Sequence, residues 1–485
     1  MPKTFSFTGA RKIVFGCGSF SGLAAQVRDL KAKKPFVALD GNLAKMGMRD
    51  RIVEMFDREG MKAVLYDKVL PEPPLEQADE GAKLAQKGKC DLVIGIGGGS
   101  AMDVAKAVAV VAAHGADAKD FLGLNKVPGP GLPTIMVPTT AGTGSEVTFT
   151  AVFVRPDLQK KEGMNSVFMY PDLALLDPEL TLSLPPQPTA ASGIDALCHA
   201  IESYTSVIAS PASEMFSLEA IRLIAENLRT CVHNGRDLEA REAQMLGSLY
   251  AGIGLANAGV GAAHSLSYPL GGKYGISHGI ANTLMLPRIM EYNLPGALEK
   301  FALVAEAMGE NTEGFSVRDA AMLAVEAVDN LIEDCGIATG LDSRPERPIV
   351  AEREAIAFDQ LLGRAGERLP AVGIDALVEV ERDVGAGLGA VALPLQFRRQ
   401  HAGVVDDEDV AGKEQFREIA DDPVLKPVRA HEQHPRRVAR TRRAEGDAVF
   451  RGGGRYGGFA LRIVGLPTPA AAVGPEGGEG LVVAD

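Results

Sequence analysis

The chain has 485 residues, 23% of them charged, with a net charge of −13 and a pI near 5.3. So acidic a balance lacks the positive surface that nucleic acid or an anionic membrane requires, and both are excluded as partners. There is no basic, apolar leader and no charge-free apolar run of about 18 residues, and Cys17, Cys90, Cys198, Cys231 and Cys335 are scattered without CxxC pairing, so we expect a cytoplasmic protein with reduced thiols.

From Phe5 to about Leu184, β-rich runs at Phe36 to Leu39, Ala63 to Tyr66, Leu92 to Ile96 and Ile135 to Val137 alternate with helical stretches. The alternation predicts a Rossmann-like parallel α/β sheet over 1–184, with ligand at the strand C-terminal ends. The run Pro35-Phe-Val-Ala-Leu-Asp40 ends in an acid. A carboxylate there can accept from an adenosine ribose 2′-OH and repel a 2′-phosphate, which favours NAD over NADP. This acid precedes the glycine turn, the reverse of the usual Rossmann order, and a strand-end aspartate equally needs no ligand to explain it.

The next strand, Asp91-Leu-Val-Ile-Gly-Ile-Gly97, runs into Gly98-Gly99-Ser100 and then an alanine-rich helix. Glycines let the backbone approach a phosphate, and the free N–H groups at a helix start attract its charge. The pattern differs from G-x-G-x-x-G, and tight packing alone also produces such turns. A second apolar strand, Thr134-Ile-Met-Val-Pro138, ends in Thr139-Thr140-Ala-Gly-Thr143-Gly-Ser145-Glu146, whose hydroxyls suit a phosphate, ribose or nicotinamide, or else a helix cap.

From Pro185 to about Gly340 the apolar residues recur at helical spacing, as in Phe216, Ala220, Ile224 and Leu228, which predicts an all-α domain over 185–340. Within it, Asp195 and His199 stand at i and i+4 on one helix face. His264 and His278 bracket Pro269 and the Gly271-Gly272 turn, so we expect the chain to leave one helix at His264 and to present His278 near the start of the next, turning both imidazoles inward. One oxygen and three nitrogens suit Fe(II), with Zn(II) the alternative, and spacing does not rank them. His114, His233, His401, His431 and His434 have no such neighbours and read as structural or surface residues. With the ligands in one domain and the glycine turn in the other, the cleft is expected between them.

Four motifs together resemble the iron-containing, or group III, alcohol dehydrogenase family over about Lys3 to Leu341: Gly97-Gly-Gly-Ser-Ala-Met-Asp103, Pro138-Thr-Thr-Ala-Gly-Thr-Gly-Ser-Glu146, Gly193-Ile-Asp-Ala-Leu-Cys-His199 and Gly275-Ile-Ser-His-Gly-Ile-Ala-Asn282. The resemblance implies metal ligands at Asp195, His199, His264 and His278, and dinucleotide contacts at Asp40, Gly97, Gly98, Gly99, Ser100, Thr139, Thr140, Thr143 and Lys161, with Asp103 counted among the cofactor-binding residues. It further implies hydride transfer between NAD(H) and a small alcohol or aldehyde, and a homo-oligomer. Many relatives carry a histidine four residues after the third ligand as a proton relay, where this chain has Tyr268, a poorer carrier at neutral pH that we count as catalytic or as pocket wall. Relatives often have asparagine near the adenine where Glu72 stands. The alternatives are a glycerol or polyol dehydrogenase, a lyase of the dehydroquinate synthase type, disfavoured by the Asp-x-x-x-His pair, and an inactive cofactor-binding protein.

The composition changes near Leu341: residues 1–340 hold 18 Lys and 12 Arg, and residues 341–485 hold 2 Lys and 18 Arg. Nothing after Cys335-Gly-Ile-Ala-Thr-Gly-Leu341 resembles the helices with which the family ends. We therefore expect a reading-frame change near Leu341, an appended domain being the alternative, and disorder in the Gly- and Pro-rich stretch from Arg451 to Gly480.

Overall fold

Runs such as Phe36-Val-Ala-Leu39 and Leu92-Val-Ile94 are buried at every position, as strands covered on both faces must be. They form the middle of the parallel sheet that the alternating pattern predicts. In this computed structural model the described residues are 4–337, so the segment 341–485 lies outside them. The first half comprises β1 (Ile13–Phe15), α1 (Leu23–Asp29), β2 (Pro35–Asp40), α2 (Gly41–Lys45), α3 (Met48–Arg58), β3 (Val64–Val69), α4 (Glu76–Gly88), β4 (Leu92–Gly97), α5 (Gly99–His114), β5 (Gly123–Leu124), β6 (Thr134–Pro138), β7 (Thr150–Arg155), β8 (Lys160–Asn165) and β9 (Leu173–Leu176).

The sheet order is β1-β9-β6-β4-β2-β3, all pairs parallel. The chain steps outward from β2 to β3 and then returns to the other side of β2 for β4. This reversal opens a crevice beyond the carboxyl ends of β2 and β4, where open α/β sheets bind ligands. Asp40 and Gly97 sit at those two ends. Side chains alternate between two cores, Phe36, Val93 and Met136 on one face and Val37, Ile94 and Ile135 on the other. A second, three-stranded sheet, β5-β8-β7, contains an antiparallel hairpin of β7 and β8 that the sequence reading did not anticipate.

The second half is helical throughout the described residues: α6 (Pro186–Thr205), α7 (Pro211–His233), α8 (Leu238–Ala258), α9 (Ala262–Tyr274), α10 (His278–Asn293), α11 (Leu298–Ala307) and α12 (Val317–Asp334). Its core gathers Ile194, Leu197, Ile224, Phe301 and Leu331. Gly193 lets Leu228 press against α6, so that α6 and α7 approach closely.

His264 lies in the first turn of α9 and does not end a helix, contrary to the expectation from spacing. The chain does not turn at Gly271-Gly272; α9 continues through Pro269 and both glycines to Tyr274, and the turn falls at Gly275, whose φ is +73°. The two glycines answer a packing need instead. A Cβ on Gly271 would lie 2.6 Å from Lys161 Cε and one on Gly272 2.8 Å from Lys160 Cα, so their absence of side chain lets β8 lie on α9. Among the described residues no single helix is long and apolar enough to cross a membrane, and all five cysteines are free.

Candidate functional site

Helical periodicity places Asp195, His199 and Glu202 on one face of α6, and the side chains of Asp195 and His199 border a cavity of about 250 Å³. His264 arrives from the first turn of α9, and His278 is the first residue of α10. Asp195 Oδ1 lies 3.8 Å from His264 Nε2 and 3.8 Å from His278 Nε2. Ligand atoms of Asp195, His199 and His264 all fall within 4.8 Å of one another. The His199 and His264 rings stack at 4.5 Å, and His278 meets His264 edge-on at 5.3 Å. The fold thus brings together four residues separated by up to 83 positions in sequence, although His278 approaches through Asp195 and stands outside the tightest trio.

These groups mostly present lone pairs. The Asn282 amide Nδ2 is donor to Asp195 Oδ1 at 2.7 Å and sits 3.0 Å from His264 Nε2 and 3.2 Å from His278 Nε2. A single NH₂ has two protons for three acceptors, while His199 Nδ1 is buried without a hydrogen-bond partner among the described residues. An acceptor-rich, buried pocket of three imidazoles and a carboxylate fits a first-row cation.

Glu202 fixes the tautomer of one imidazole. His264 Nδ1 donates to Glu202 Oε2 at 2.6 Å, and the Ala263 N–H donates to Oε1 at 2.7 Å. With Nδ1 protonated, the His264 Nε2 lone pair is turned toward Asp195. Burial alone raises the Asp195 carboxyl, but His199, His278, His264 and the Asn282 amide outweigh it and hold it below the usual range. Burial lowers His199 to about 4 and His278 to about 3, so both rings are neutral at neutral pH. Burial pulls His264 down as well, yet the Glu202 contact prevails and raises it.

The same cavity is lined by Gly99, Ser100, Thr143 and Lys161 from the first half of the chain. Asp40, Gly97, Gly98, Thr139 and Thr140 do not line it; they stand at the carboxyl ends of β2, β4 and β6 or in the turns that follow. α5 starts after Gly98 with no side-chain cap. A Cβ on Gly97 would lie 2.8 Å from Ala101 Cβ and 3.0 Å from Asp40 Cβ, and one on Gly99 2.8 Å from Thr143 Cγ2. At Gly97 and Gly99 the turn therefore admits no side chain, and it leaves backbone open to a ligand. Thr139 N–H donates to the Gly97 carbonyl at 2.9 Å, which joins the two turns. Asp40 Oδ1 caps α2, accepting from the N–H groups of Asn42 at 2.8 Å and Leu43 at 3.1 Å.

Asp103 borders the cavity but spends its oxygens internally, accepting from Ser145 Oγ at 2.6 Å and Val152 N–H at 2.9 Å. Lys161 Nζ pairs with Glu72 Oε1 at 2.9 Å. Tyr268 lines the cavity and stacks on His278 at 5.9 Å, and burial raises its phenol above the ordinary tyrosine value. Phe149, Phe153, Leu255 and Val260 complete an apolar lining. Sequence reasoning missed Glu202, three residues beyond a quoted motif and at i+7 from Asp195, and Asn282, inside a quoted motif and at i+4 from His278.

The family described as iron-containing alcohol dehydrogenase matches residues 10–178, and the C-terminal part of the same family matches residues 189–345. Long-chain-alcohol dehydrogenase 1 of Geobacillus thermodenitrificans is 40% identical over 370 residues, covering 75% of this chain and 93% of its own. That share exceeds the first 341 residues, so the resemblance reaches past the point where its motifs end. NAD-dependent methanol dehydrogenase of Bacillus methanolicus is 36% identical over 327 residues, 67% of this chain and 86% of its own. The solved structure of an alcohol dehydrogenase from Oenococcus oeni superposes with a TM-score of 0.69 at 33% identity, covering 78% of this chain and 100% of that one.

Proposed function

The chain belongs to the iron-containing alcohol dehydrogenase family, and on that premise we propose that it is a metal-dependent oxidoreductase moving a hydride between NAD(H) and a small alcohol or aldehyde. The observation that carries this reading is one cavity bordered both by the Asp195, His199, His264 and His278 cluster and by the glycine turn at Gly99 and Ser100. When bound, an Fe(II) or Zn(II) ion supplies Lewis-acid polarisation of the alcohol oxygen, and NAD supplies the hydride acceptor.

The chain's own residues bind, orient and exclude water. Asp195, His199, His264 and His278 would hold the ion, with Glu202 keeping the His264 lone pair available. Gly97, Gly98, Gly99, Ser100 and the start of α5 cradle the pyrophosphate, and Thr139, Thr140, Thr143 and Lys161 offer further hydrogen bonds. Asp40 accepts from the adenosine ribose and so selects NAD. Asp103 braces the wall through Ser145 and Val152 instead of touching the dinucleotide. Tyr268 is wall in this reading, since a phenol raised by burial is a worse proton carrier. Phe149, Phe153, Leu255 and Val260 keep water from the reacting carbon.

A homo-oligomer in the cytoplasm, without nucleic acid or membrane as partner, belongs to the same proposal; the five free cysteines and the charge of −13 support it. The test is NADH absorbance with ethanol, 1,3-propanediol, glycerol and lactaldehyde, before and after metal removal and reloading. Turnover that vanishes with the metal and returns with Fe(II) or Zn(II) is expected. Full activity after chelation overturns the ligand assignment, and retained NADH binding with no turnover favours an inactive protein.

A further inference from the structure

The loop between β3 and α4 holds Glu72 at φ +49°, a left-handed conformation that few non-glycine residues adopt, between Pro71 and Pro73. The loop is pinned on both sides. Val154 N–H donates to the Pro73 carbonyl at 3.0 Å, and Leu70 N–H donates to Gln77 Oε1 at 3.1 Å. Strain that is held this firmly at a cavity wall calls for a use of the residue that bears it.

Glu72 bonds to three separate elements. Its backbone N–H donates to Ser100 Oγ at 3.1 Å, in the first turn of α5. Its carboxylate Oε1 accepts from Lys161 Nζ on β8 at 2.9 Å and from the backbone N–H of His278 at 3.0 Å. His278 opens α10, whose N-cap residue Ser277 makes no side-chain capping bond. A carboxylate 206 positions away thus takes the capping role, accepting a first-turn N–H and opposing the positive end of the helix dipole. Lys161 balances the charge that this leaves in a half-buried place.

We infer that Glu72 is a positioning residue that ties His278 to the glycine turn, so that the metal and dinucleotide ends of the cavity keep one registry. The inference rests on the function proposed above. Alanine at position 72 removes the cap and the ion pair together, whereas glutamine retains an oxygen that can accept from the His278 N–H. The two variants therefore separate positioning of α10 from charge.

The experiment uses the full-length protein loaded with cobalt(II), whose visible absorption reports the geometry of its donors, alongside steady-state kinetics. Glu72→Ala is expected to shift the cobalt bands and to lower kcat about tenfold while KM for the alcohol changes less than about threefold, an orientation effect in place of a lost contact with substrate. Glu72→Gln is expected to recover the wild-type bands and most of kcat. Unchanged bands and kcat in Glu72→Ala overturn the inference, and so does an equal loss in Glu72→Gln, which would assign the effect to charge. Should Glu72→Ala fail to fold, Glu72→Asp, one methylene short of reaching His278, takes its place. If the wild-type protein takes up no cobalt or turns over no alcohol, the proposed function fails. The positioning role is then decided by amide hydrogen exchange across residues 275–285 of metal-free protein, expected to speed up in Glu72→Ala and to stay slow in Glu72→Gln; equal exchange in all three proteins overturns it.

Discussion

The two sides of the cavity are built by opposite means. On α6, α9 and α10 the site is made of side chains: a carboxylate and two imidazoles buried together with a third, half-buried one, and Glu202 and Asn282 behind them. In the turn after β4 it is made of their absence, at Gly97 and Gly99, where a Cβ would collide with Ala101, Asp40 or Thr143. One side concentrates acceptor atoms for a cation, and the other clears space for an anion to reach backbone N–H groups. It follows that the first should break when a group is removed and the second when a group is added, each leaving the other's binding intact.

The largest effect is expected at Asp195. Asp195→Ala should lower alcohol oxidation on the order of a thousandfold or more, the several kcal/mol that metal polarisation supplies, while NADH affinity, read by fluorescence titration, moves less than about threefold. A parallel loss of NADH binding would show that the two sides are not separable. Glu202→Gln is milder because all four ligands remain. His264 loses its charged partner, so metal affinity in a competition titration should fall roughly 10- to 100-fold with NADH binding unchanged.

Addition is the matching test on the glycine side. Gly99→Ala puts a Cβ 2.8 Å from Thr143 Cγ2, so Thr143 must shift. NADH affinity should drop about tenfold, equivalent to ~1.4 kcal/mol, with metal content unaltered. Thr143→Ser in that background removes the methyl that the new carbon meets and should restore part of the affinity. A double variant as weak as Gly99→Ala would mean that the turn backbone, and not this contact, had moved.

How far sequence carried the reading differs between these sides for physical reasons. β2 and β4 are legible because strands buried on both faces must be continuously apolar, and the triple glycine marks itself. The pairing of Asp195 with His199 follows from helical geometry, and the same rule applied three residues further would have found Glu202. The β7 and β8 hairpin is hidden because Lys160, Lys161, Glu162 and Gly163 are polar or lack a side chain, leaving no alternation to read. Gly271 and Gly272 mislead because glycine within a helix signals either a break or a close neighbour, and only the fold shows that β8 is that neighbour. The apolar wall of Phe149, Leu255 and Val260 comes from two loops and a helix end, with no local pattern at all.

The smallest effect concerns the metal-free protein and isolates one imidazole. Burial lowers His278 to about 3, whereas in the unfolded chain it titrates near the ordinary histidine value of about 6.5. Between those values the unfolded state binds a proton that the folded state refuses, so this residue's contribution to stability is present above about 6.5 and is lost as pH falls toward 3. Other buried groups titrate in the same window, Glu146 with the opposite sign because burial raises it to about 7, and so the slope of the wild type alone is uninformative. The difference between wild type and His278→Gln removes that background. In thermal melts of metal-free protein, the wild type should lose ground against the variant step by step from pH 6.5 to pH 4, by a few degrees in all. A constant difference across that range would mean that the ring is solvated, and that the side of the cavity made of side chains is looser than the side made without them.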